Sequence, residues 1–471
     1  MFRFCHCQYT DLQSNIHQCQ TNEGLALWTV EEYDMIVNSV FPEQNPDQCD
    51  QLVTRDNLFN EYEEPSGESE DDSDANSHYS SSDEVDDDRD GNINHGLKSK
   101  CVFNQLKAFH CVTSMPPDCL HDLFEGVVAQ DLLAIIRILQ NKKWYTLAEY
   151  NDVLKRFPVS SQEASNKPQM VPVSTSTKKL NGKAVSIWCH LRFFLPMLHQ
   201  NLLIQDPDDD ILKLAVLLTE VTQRITVEKF EFYEVNILEE KVMEYLDFRQ
   251  VLLEEYPSLG TPKPKHHFLC HYGTYIRKFG PPLGFWTGRY ESKHRVAKTI
   301  AVSSKNFRNI SLTVATRQQL RMASVFYKGM YDYADFKVPL KVRKKVELTE
   351  SEIENNLKTV MTDDDLLCDE VVWRDRRYSV GSVVVIGRED MLNMTVGIIK
   401  AILLRRDRVL LLVRRALLVQ NKYKFFSCNK VEDFQIFVDI ENLEDTYPLL
   451  QRGCDDNFYV IPHHHISFKY S

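Results

Sequence analysis

The spacing of hydrophobic positions predicts a long helix in the first half of the chain. After Pro116 and Pro117, apolar residues recur at steps of three and four along LHDLFEGVVAQDLLAIIRILQ, which places them on one side of a helix. The positions are Leu120, Leu123, Phe124, Val127, Val128, Leu132, Ile135, Ile136 and Leu139. The two prolines block helix before this segment, and Asp118 is a suitable N-cap. We therefore expect this helix to pack into a core.

Two further segments predict core helices, and the last quarter of the chain predicts strands. AVSIWCHLRFFLPMLHQ is apolar and helix-like, and QDPDDDILKLAVLLTEVTQRI has an Asp-rich cap before apolar residues at helical spacing. From about Val371, short β-branched or aliphatic runs are broken by Gly, Asn and Arg-Asp pairs, which is typical of strands. The expected fold class is α+β, with an α-rich body and a small β-rich C-terminal domain.

Five regions follow from these patterns: a Cys- and His-bearing region at 1–60, an acidic insert at 61–95, the α-rich body at 96–326, a linker with a short helix at 327–366, and the β-rich domain at 367–471. Between Glu61 and Asp90 lie fourteen acids and one Arg, and the rest of the chain has 54 acids and 54 bases. So few apolar residues cannot offset the ordering entropy, which predicts a disordered insert. An interaction tail, a phosphorylation site and a plain solvated loop are all compatible with it.

Composition limits the class of protein. With 471 residues and 43% hydrophobic content, the chain has enough apolar material for a sizeable folded core. No apolar run reaches the roughly 18 residues of a membrane span, and the first residues lack the apolar core of a signal peptide. We expect a soluble intracellular protein, nuclear or cytoplasmic and not secreted, with no membrane partner and no small-molecule substrate indicated. Most of the twelve Cys are then expected to be reduced thiols.

Three groups of residues invite a metal interpretation. Cys5 and Cys7 could bind Zn²⁺, although Cys-x-Cys departs from the paired spacing of structural zinc sites. Asp118, His121 and their acidic neighbours on the first helix could form a metal or proton-transfer cluster, with Asp118, Asp122 and Glu125 on roughly one side, or simply cap and solvate that helix. The three consecutive histidines at 463–465 cannot all face one ion from a strand, so we treat them as incidental.

A basic segment is the main candidate for binding. From Lys263 to Met322 the chain has twelve Lys or Arg and four His, and Glu291 is the one acid. Aromatic residues interleave with these bases, a combination that suits phosphate contact and base stacking. The equal alternative is that the aromatics are core and the bases a solvated rim. The candidate DNA-binding residues are Lys263, Lys265, Arg277, Lys278, Arg289, Lys293, His294, Arg295, Lys298 and Arg308. Glu291 could pair with Arg295, four residues on, or bind a divalent ion.

The motifs PPDCLHDLFEG, KKLNGKAVSIWCHLRFFLPML, KPKHHFLCHYGTYIRKFGPPLGFWTGRYESKH and NFRNISLTVATRQQL, in this order over about residues 100–325, resemble transposase-derived proteins related to CACTA (EnSpm) elements. The resemblance implies a ribonuclease-H-like core with a helical insertion, in which two Asp and a Glu hold divalent metal ions. Glu291 matches the final acid of that family. Asp118 and His121 match its Asp-x-x-His block, which makes all three catalytic candidates.

The resemblance also implies departures. Cys5 matches the second position of a Cys-x-x-Cys motif whose first position holds Phe2, and the strands bearing the first acids are expected upstream of Met1. The α-rich body would thus hold a partial ribonuclease-H-like transposase core. Two-metal cleavage needs several carboxylates, so Glu291 alone should give no strand cleavage.

The leading hypothesis is a truncated or domesticated transposase-like protein that binds DNA and lacks strand-transfer activity on its own. One alternative is an active Mg²⁺-dependent enzyme completed by a longer product or a second chain, which includes a homo-oligomer. Another is a scaffold that binds proteins through the acidic insert and the β-rich domain.

Overall fold

The computed structural model describes residues Glu31, Met35, 101–160, 162–306, 308–327, 336–337, 342–344, Leu357, 361–374, 376–388, 393–406, 408–454 and 456–466. Cys5, Cys7 and the acidic insert at 61–95 lie outside these residues. Of the described residues, 101–115 belong to one compact unit and 116–466 to a second. In the first unit, a short 3₁₀ turn at Val102–Gln105 precedes helix α1 at Cys111–Ser114.

The second unit contains the remaining helices. They are the π-helix Leu120–Val128, α2 Ala129–Asn141, α3 Leu147–Arg156, α4 Ala184–Asn201, α5 Asp210–Ile225, α6 Phe232–Glu255, α7 Pro264–Leu269, α8 Tyr272–Phe279, α9 Pro282–Phe285, α10 Gly288–Ser304 and α11 Ile310–Tyr327, with 3₁₀ turns at Ala164–Asn166 and Pro257–Leu259. None of the described helices has both the length and the apolar character that a membrane crossing requires.

The helix predicted after Pro117 is confirmed, with one difference in its first part. All nine predicted apolar positions are buried, and they belong to one large core with α4, α5 and α6. The first two turns, however, are π-helical before the chain continues as α2. Asp122 is buried and its Oδ2 accepts from the Asp118 N–H at 3.2 Å, whereas the side chains of Asp118 and Glu125 are partly exposed.

The two other predicted core helices are confirmed as α4 and α5. Along α4, fourteen of eighteen side chains are buried, which is why its sequence is apolar all round. The predicted Asp-rich cap of α5 is also confirmed. Asp209 accepts hydrogen bonds from the backbone N–H groups of Ile211 at 2.9 Å and Leu212 at 3.2 Å. The C-terminal end of this body supplies α10 and α11, whose exposure is described below.

The predicted β-rich domain is confirmed as an antiparallel structure. Its strands are β1 Phe336–Lys337, β2 Arg343–Lys344, β3 Leu366–Cys368, β4 Glu370–Trp373, β5 Arg376–Ser379, β6 Ser382–Arg388, β7 Asn393–Arg405, β8 Arg408–Gln420, β9 Phe426–Asp439, β10 Asp445–Leu450, β11 Arg452–Cys454 and β12 Asn457–Val460. The larger sheet runs β10-β6-β7-β8-β9-β12-β11, with β3 also on β7 and β2 on β3, and a small sheet runs β1-β4-β5.

Both faces of the larger sheet are covered, which explains its unbroken apolar runs. In SVVVIG, Val384 faces one core cluster while Val383 and Val385 face another, and the same alternation separates Ile399 from Ile398 on β7. The region predicted as a linker differs from expectation, because 327–366 also supplies β1 and β2. Of its predicted short helix, Leu357 alone is described, and it is helical and buried.

Residues 101–327, as far as the structure describes them, contain no strand. The coarse α+β class is therefore established, while a ribonuclease-H-like core stays a prediction. Cys119, Cys189 and Cys368 are buried free cysteines.

The β-rich domain packs directly on the helical body. Tyr423, Phe425 and Ile461 belong to the helical core, and Arg192 Nε on α4 donates to the carbonyl of Pro462 at 3.1 Å. The histidines at 463–465 lie at this junction, where the His465 N–H donates to the carbonyl of Gln223 at 2.8 Å. The other two histidines have contacts elsewhere: His464 Nε2 is 3.2 Å from Asp445 Oδ2, and the His463 ring stacks on Tyr447.

Candidate functional site

Helices α10 and α11 form a hairpin that is the most basic exposed part of the helical body. From Gly288 to Tyr327 the sequence has eight Lys or Arg against Glu291. No described side chain of either helix is fully buried, and the two pack mainly on each other. Arg317 Nη1 on α11 donates to Ser303 Oγ on α10 at 3.3 Å, which ties the two helices together. We call residues 288–327 the basic hairpin.

The start of the basic hairpin is held by Asp118, at the start of the π-helix. Asp118 Oδ1 accepts from the Thr287 N–H at 3.1 Å and from the Leu120 N–H at 3.2 Å. Thr287 Oγ1 donates to Asp118 Oδ2. One carboxylate thus satisfies backbone donors at the N-terminal ends of two helices, where negative charge is favoured by the helix dipole. The PPDCLHDLFEG and GFWTGRYESKH segments meet at this contact.

His121 and Glu291 extend the same contact toward solvent. His121 Nδ1 lies against Asp118 Oδ2, and its Nε2 is 3.2 Å from Glu291 Oε1. The side chains of His121 and Glu291 are 45% and 50% exposed, against 19% for Asp118. Both ring nitrogens face carboxylate oxygens, and an imidazolium donates from both. We call Asp118, His121, Thr287 and Glu291 the hinge cluster.

The environment of Asp118 favours its charged form. Partial burial raises the pKa of Asp118. Hydrogen bonds from Thr287 and His121 and from the Thr287 and Leu120 N–H groups lower it by a larger amount, so the net pKa lies below the ordinary value of 3.8. Asp118 is therefore a carboxylate at neutral pH, with both oxygens already accepting hydrogen bonds.

Close packing surrounds the hinge cluster. A Cβ on Gly288 would lie 2.9 Å from Leu120 Cδ1, closer than side chains pack, so glycine permits this approach of α10 to the π-helix. Lys265 Nζ on α7 donates to the carbonyl of His121 at 2.7 Å. That carbonyl belongs to a π-helical turn, where the repeating hydrogen bonds are least regular. The hinge cluster is thus fixed from three elements.

No family model, curated protein or solved structure matches this chain. The family resemblance therefore stays a prediction.

The hinge cluster does not fit the Mg²⁺ that the resemblance implies. Mg²⁺ requires a near-octahedral shell of oxygen atoms, whereas both Asp118 oxygens accept hydrogen bonds and Glu291 faces a ring nitrogen. Over the described part of the chain, no group of three or more His, Cys, Asp or Glu side chains is arranged to hold a metal ion. Asp118, His121 and Glu291 do converge as catalytic candidates, but through hydrogen bonds. Among the described residues, no ion pair joins Glu291 to Arg295.

The predicted DNA-binding residues include a set of exposed side chains and a second set that is bonded within the protein. Lys293, His294, Arg295, Lys298 and Arg308 are exposed on the basic hairpin, and Lys263 and Lys278 are exposed nearer the core. The side chain of Arg289 lies outside the described part of the chain.

Two of the predicted residues are engaged within the protein. Lys265 is tied to His121, as described above. Arg277 makes two bonds to Glu239, at 2.6 and 2.7 Å, and one to Asn236 at 2.7 Å. Its guanidinium is therefore already paired on α6, which argues against a phosphate contact there.

The interleaved aromatic residues differ in exposure, so neither the prediction of core packing nor that of base stacking holds for all of them. Tyr272 and Tyr275 are 0% and 4% exposed and belong to the core. Phe279 and Tyr290 are 38% and 59% exposed, and Lys293 Nζ lies 6.0 Å from the Tyr290 ring centre. Base stacking is sterically open at Tyr290 and closed at the two buried tyrosines.

Two groups of functional interest were not identified from the sequence. Thr287 could have been found, because Thr directly before a helix start is a common N-cap. The other group is a buried network in which Arg249 Nε donates to Asp131 Oδ2 at 2.7 Å, with Tyr245 and His266 also on this carboxylate. Asp131 within an apolar stripe was the available signal, since a buried carboxylate needs partners. All four side chains are fully buried or nearly so, and we call them the core network.

Proposed function

We propose that this protein binds DNA through the basic hairpin and that it is a transposase-like protein without strand-transfer activity of its own. The observation that carries the proposal is the exposure of this hairpin together with its charge. Lys293, Arg295 and Lys298 are exposed on α10, in a stretch of forty residues with a single acid. Such a surface releases counterions when it contacts a phosphate backbone.

The helical geometry supports a contact surface on α10. Arg295 and Lys298 are three residues apart and so lie on one side of the helix, and Glu291 lies on that side too. Glu291 contacts His121 on the π-helix, so the acid at the start of the surface is engaged within the protein. The basic side chains that follow remain available to a phosphate backbone.

The hinge cluster supports a positioning role. Asp118 bonds to the backbone just before α10, and this contact sets the direction in which the basic hairpin leaves the core. A fixed direction reduces the conformational entropy that binding would cost. The proposal assigns Asp118, His121 and Glu291 to positioning, and no cleavage step to them.

The test is the salt dependence of DNA binding. The intact chain is titrated with a fluorescent duplex and with single-stranded DNA over a series of KCl concentrations, in parallel with a Lys293→Gln/Arg295→Gln/Lys298→Gln variant. For duplex DNA, loss of three phosphate contacts should reduce the slope of log affinity against log salt by about 2.7, from about 0.9 per contact. A slope near zero for the unmodified protein would disprove phosphate contact.

A matched control separates this surface from general charge. Lys155, Lys178 and Lys179 are equally exposed but lie on and after α3. Lys155→Gln/Lys178→Gln/Lys179→Gln removes the same formal charge, and it should leave the slope within about 0.5 of the unmodified value. An equal loss in both triple variants would place the DNA contact elsewhere.

The same protein tests the enzymatic alternative. Supercoiled DNA with Mg²⁺ or Mn²⁺ should remain uncut by the intact chain, because the hinge cluster offers no oxygen shell for these ions. Nicking that is lost in Glu291→Gln would contradict the proposal and favour the metal-dependent enzyme.

A further inference from the structure

A polar cavity lies where the β-rich domain packs on the helical body. It measures about 360 Å³ and is lined by α4 and the segment after α3 on one side, and by Arg374 after β4, β5, β6, β10, β11 and residues Ile461 and His463 on the other. This size is within the range of small-ligand sites, about 300–1,000 Å³. Neither the basic hairpin nor the hinge cluster contributes to it.

The described lining of this cavity is strongly unbalanced in charge. Four arginines, Arg192, Arg374, Arg376 and Arg452, line it together with one carboxylate, Glu163. Glu163 is already paired with Arg192 Nη1. Burial raises the pKa of Glu163, but Arg192 and His463 lower it to about 2, so the carboxylate is charged and fully committed to that side of the cavity.

The charge of Arg376 is neutralised by a carboxylate that does not line the cavity, and Arg374 is exposed. Arg376 Nη2 pairs with Glu228, and its guanidinium lies 3.9 Å from the Tyr447 ring centre. Arg374 is exposed and stacks on Trp373 at 4.2 Å, which holds it in place at the edge of the cavity.

Arg452 is a buried cation that no carboxylate of the described residues pairs directly. It is 3% exposed, and its Nη1 donates to the Leu450 carbonyl at 3.4 Å, while Nε and Nη2 have no hydrogen-bond partner within the described part of the chain. Its guanidinium carbon lies 5.3 Å from the Phe193 ring and 5.6 Å from the Phe157 ring. Burial, and then the neighbouring charge of Arg192, lower the pKa of Arg452 to about 10, so it remains a cation at neutral pH. A buried cation with two unused donors is costly unless an anion meets it.

We propose that this cavity binds a phosphate-class dianion, free or carried on a small organic group, with Arg452 as its buried ligand and Arg374 at its edge. A guanidinium offers two parallel donors that match two oxygens of one phosphate. Ser379 and Ser382, whose hydroxyls are 3.1 Å apart in the same lining, supply further donors. The inference is independent of DNA binding, because none of these residues lies on the basic hairpin.

The test is titration calorimetry of the intact chain with inorganic phosphate and, separately, with ribose 5-phosphate, at constant ionic strength set with KCl. We expect saturable binding with a Kd of about 1 mM or lower for at least one probe. The tighter of the two identifies whether the dianion is free or carried. No saturable binding of either probe would overturn the proposal.

Variants locate the site. Arg452→Gln should weaken binding about tenfold or more, since it removes charge-assisted donors from a buried position. Arg374→Gln, at an exposed position, should weaken it about threefold or more, and Arg377→Gln less than about twofold. Arg377 is the matched control, because it lies on the neighbouring strand β5, pairs with Glu370 and is not part of the cavity.

Folding of each variant is checked by circular dichroism and thermal melting. If Arg452→Gln fails to fold, Arg374→Gln decides. Binding as tight as that of the unmodified protein in a folded Arg374→Gln would overturn the site, and so would equal losses in Arg374→Gln and Arg377→Gln. Binding should also raise the Tm of the unmodified protein and not that of a folded Arg452→Gln.

Discussion

The hinge cluster and the core network use nearly the same chemistry in opposite surroundings. In both, an Asp on the first long helical segment accepts hydrogen bonds from a hydroxyl and lies beside a His. Asp131 is 0% exposed and pairs with Arg249, whereas Asp118 is 19% exposed and has backbone donors and Thr287 as partners. Burial determines the role of each cluster. The core network is buried and stabilises the fold, whereas the hinge cluster is partly exposed to solvent beside the basic hairpin.

The two carboxylates are kept charged for different reasons. Burial raises the pKa of Asp131, but the charge of Arg249 and the hydrogen bonds from Arg249 and His266 lower it well below the ordinary value. For Asp118 the lowering comes from hydrogen bonds that Thr287, His121 and Leu120 make to its carboxylate. Burial likewise lowers the pKa of His266, so within the core network Arg249 supplies the positive charge at neutral pH. The core network should therefore be the more sensitive of the two to loss of a partner.

The largest expected effect is at Arg249. Arg249→Met leaves Asp131 buried without its cation, and should lower the free energy of unfolding by about 3–5 kcal/mol. Urea denaturation at pH 7 followed by circular dichroism measures it. The effect should exceed that of any hinge-cluster variant.

A double variant tests whether the unpaired charge of Asp131 causes the loss of stability in Arg249→Met. Asp131→Leu/Arg249→Met removes both charges, and should be less destabilised than Arg249→Met alone, because no uncompensated carboxylate remains. If the double variant loses the sum of the two single losses, packing and not the unpaired charge explains the sensitivity.

A smaller effect is expected at Asp118. Asp118→Asn keeps the shape but replaces an oxygen acceptor with an amide donor facing Thr287, and should cost about 1–2 kcal/mol. Hydrogen exchange at the Thr287 and Gly288 amides should become faster, since the backbone donor at the start of α10 is released. Asp152→Asn is the control, because Asp152 is 58% exposed and pairs with Arg156 on the same helix. Equal changes in both variants would remove the special role of Asp118.

The stability difference between the unmodified protein and Asp118→Asn should depend on pH in a definite direction. The folded pKa of Asp118 lies below its ordinary value of 3.8, so its contribution is fully present above about pH 4 and is lost as the pH falls through the folded pKa. The stability gap between the unmodified protein and Asp118→Asn should therefore be constant from pH 5 to 7 and shrink below about pH 4. A gap that widens on acidification would contradict the assigned charge state.

Much of the fold could be predicted from local pattern. The apolar stripe from Leu120 to Leu139, the Asp209 cap and the strand-like runs after Val371 all depend on neighbours within a few residues, and all are confirmed. The π-helical start was not predictable from local pattern, and its His121 carbonyl accepts a hydrogen bond from Lys265, 144 positions away.

The site was predicted by residue type more than by arrangement. Periodicity marked Asp118 as a cap, but it could not show that Thr287, 169 positions away, shares its carboxylate. The pairing of Asp131 with Arg249 spans 118 positions, so no local pattern contains it. Likewise, counting bases along the basic segment could not distinguish the exposed Arg295 from Arg277, which is paired on α6.

The smallest effect on stability is expected at Glu291, and it distinguishes the hinge cluster from the core network. Its carboxylate is half exposed and 3.2 Å from His121 Nε2, so Glu291→Gln should change stability by less than about 0.5 kcal/mol. Removing the single acid of the basic hairpin should instead strengthen duplex binding at low salt, by about twofold, and not at high salt where charges are screened. Glu244→Gln is the matched control, since Glu244 is 52% exposed, pairs with Lys241 at 2.7 Å and lies on α6 outside the hairpin. Destabilisation by Glu291→Gln as large as that of Asp118→Asn would mean that the hinge cluster acts as a second core network. Unchanged stability with tighter DNA binding would place Glu291 on the binding surface and Asp118 beneath it.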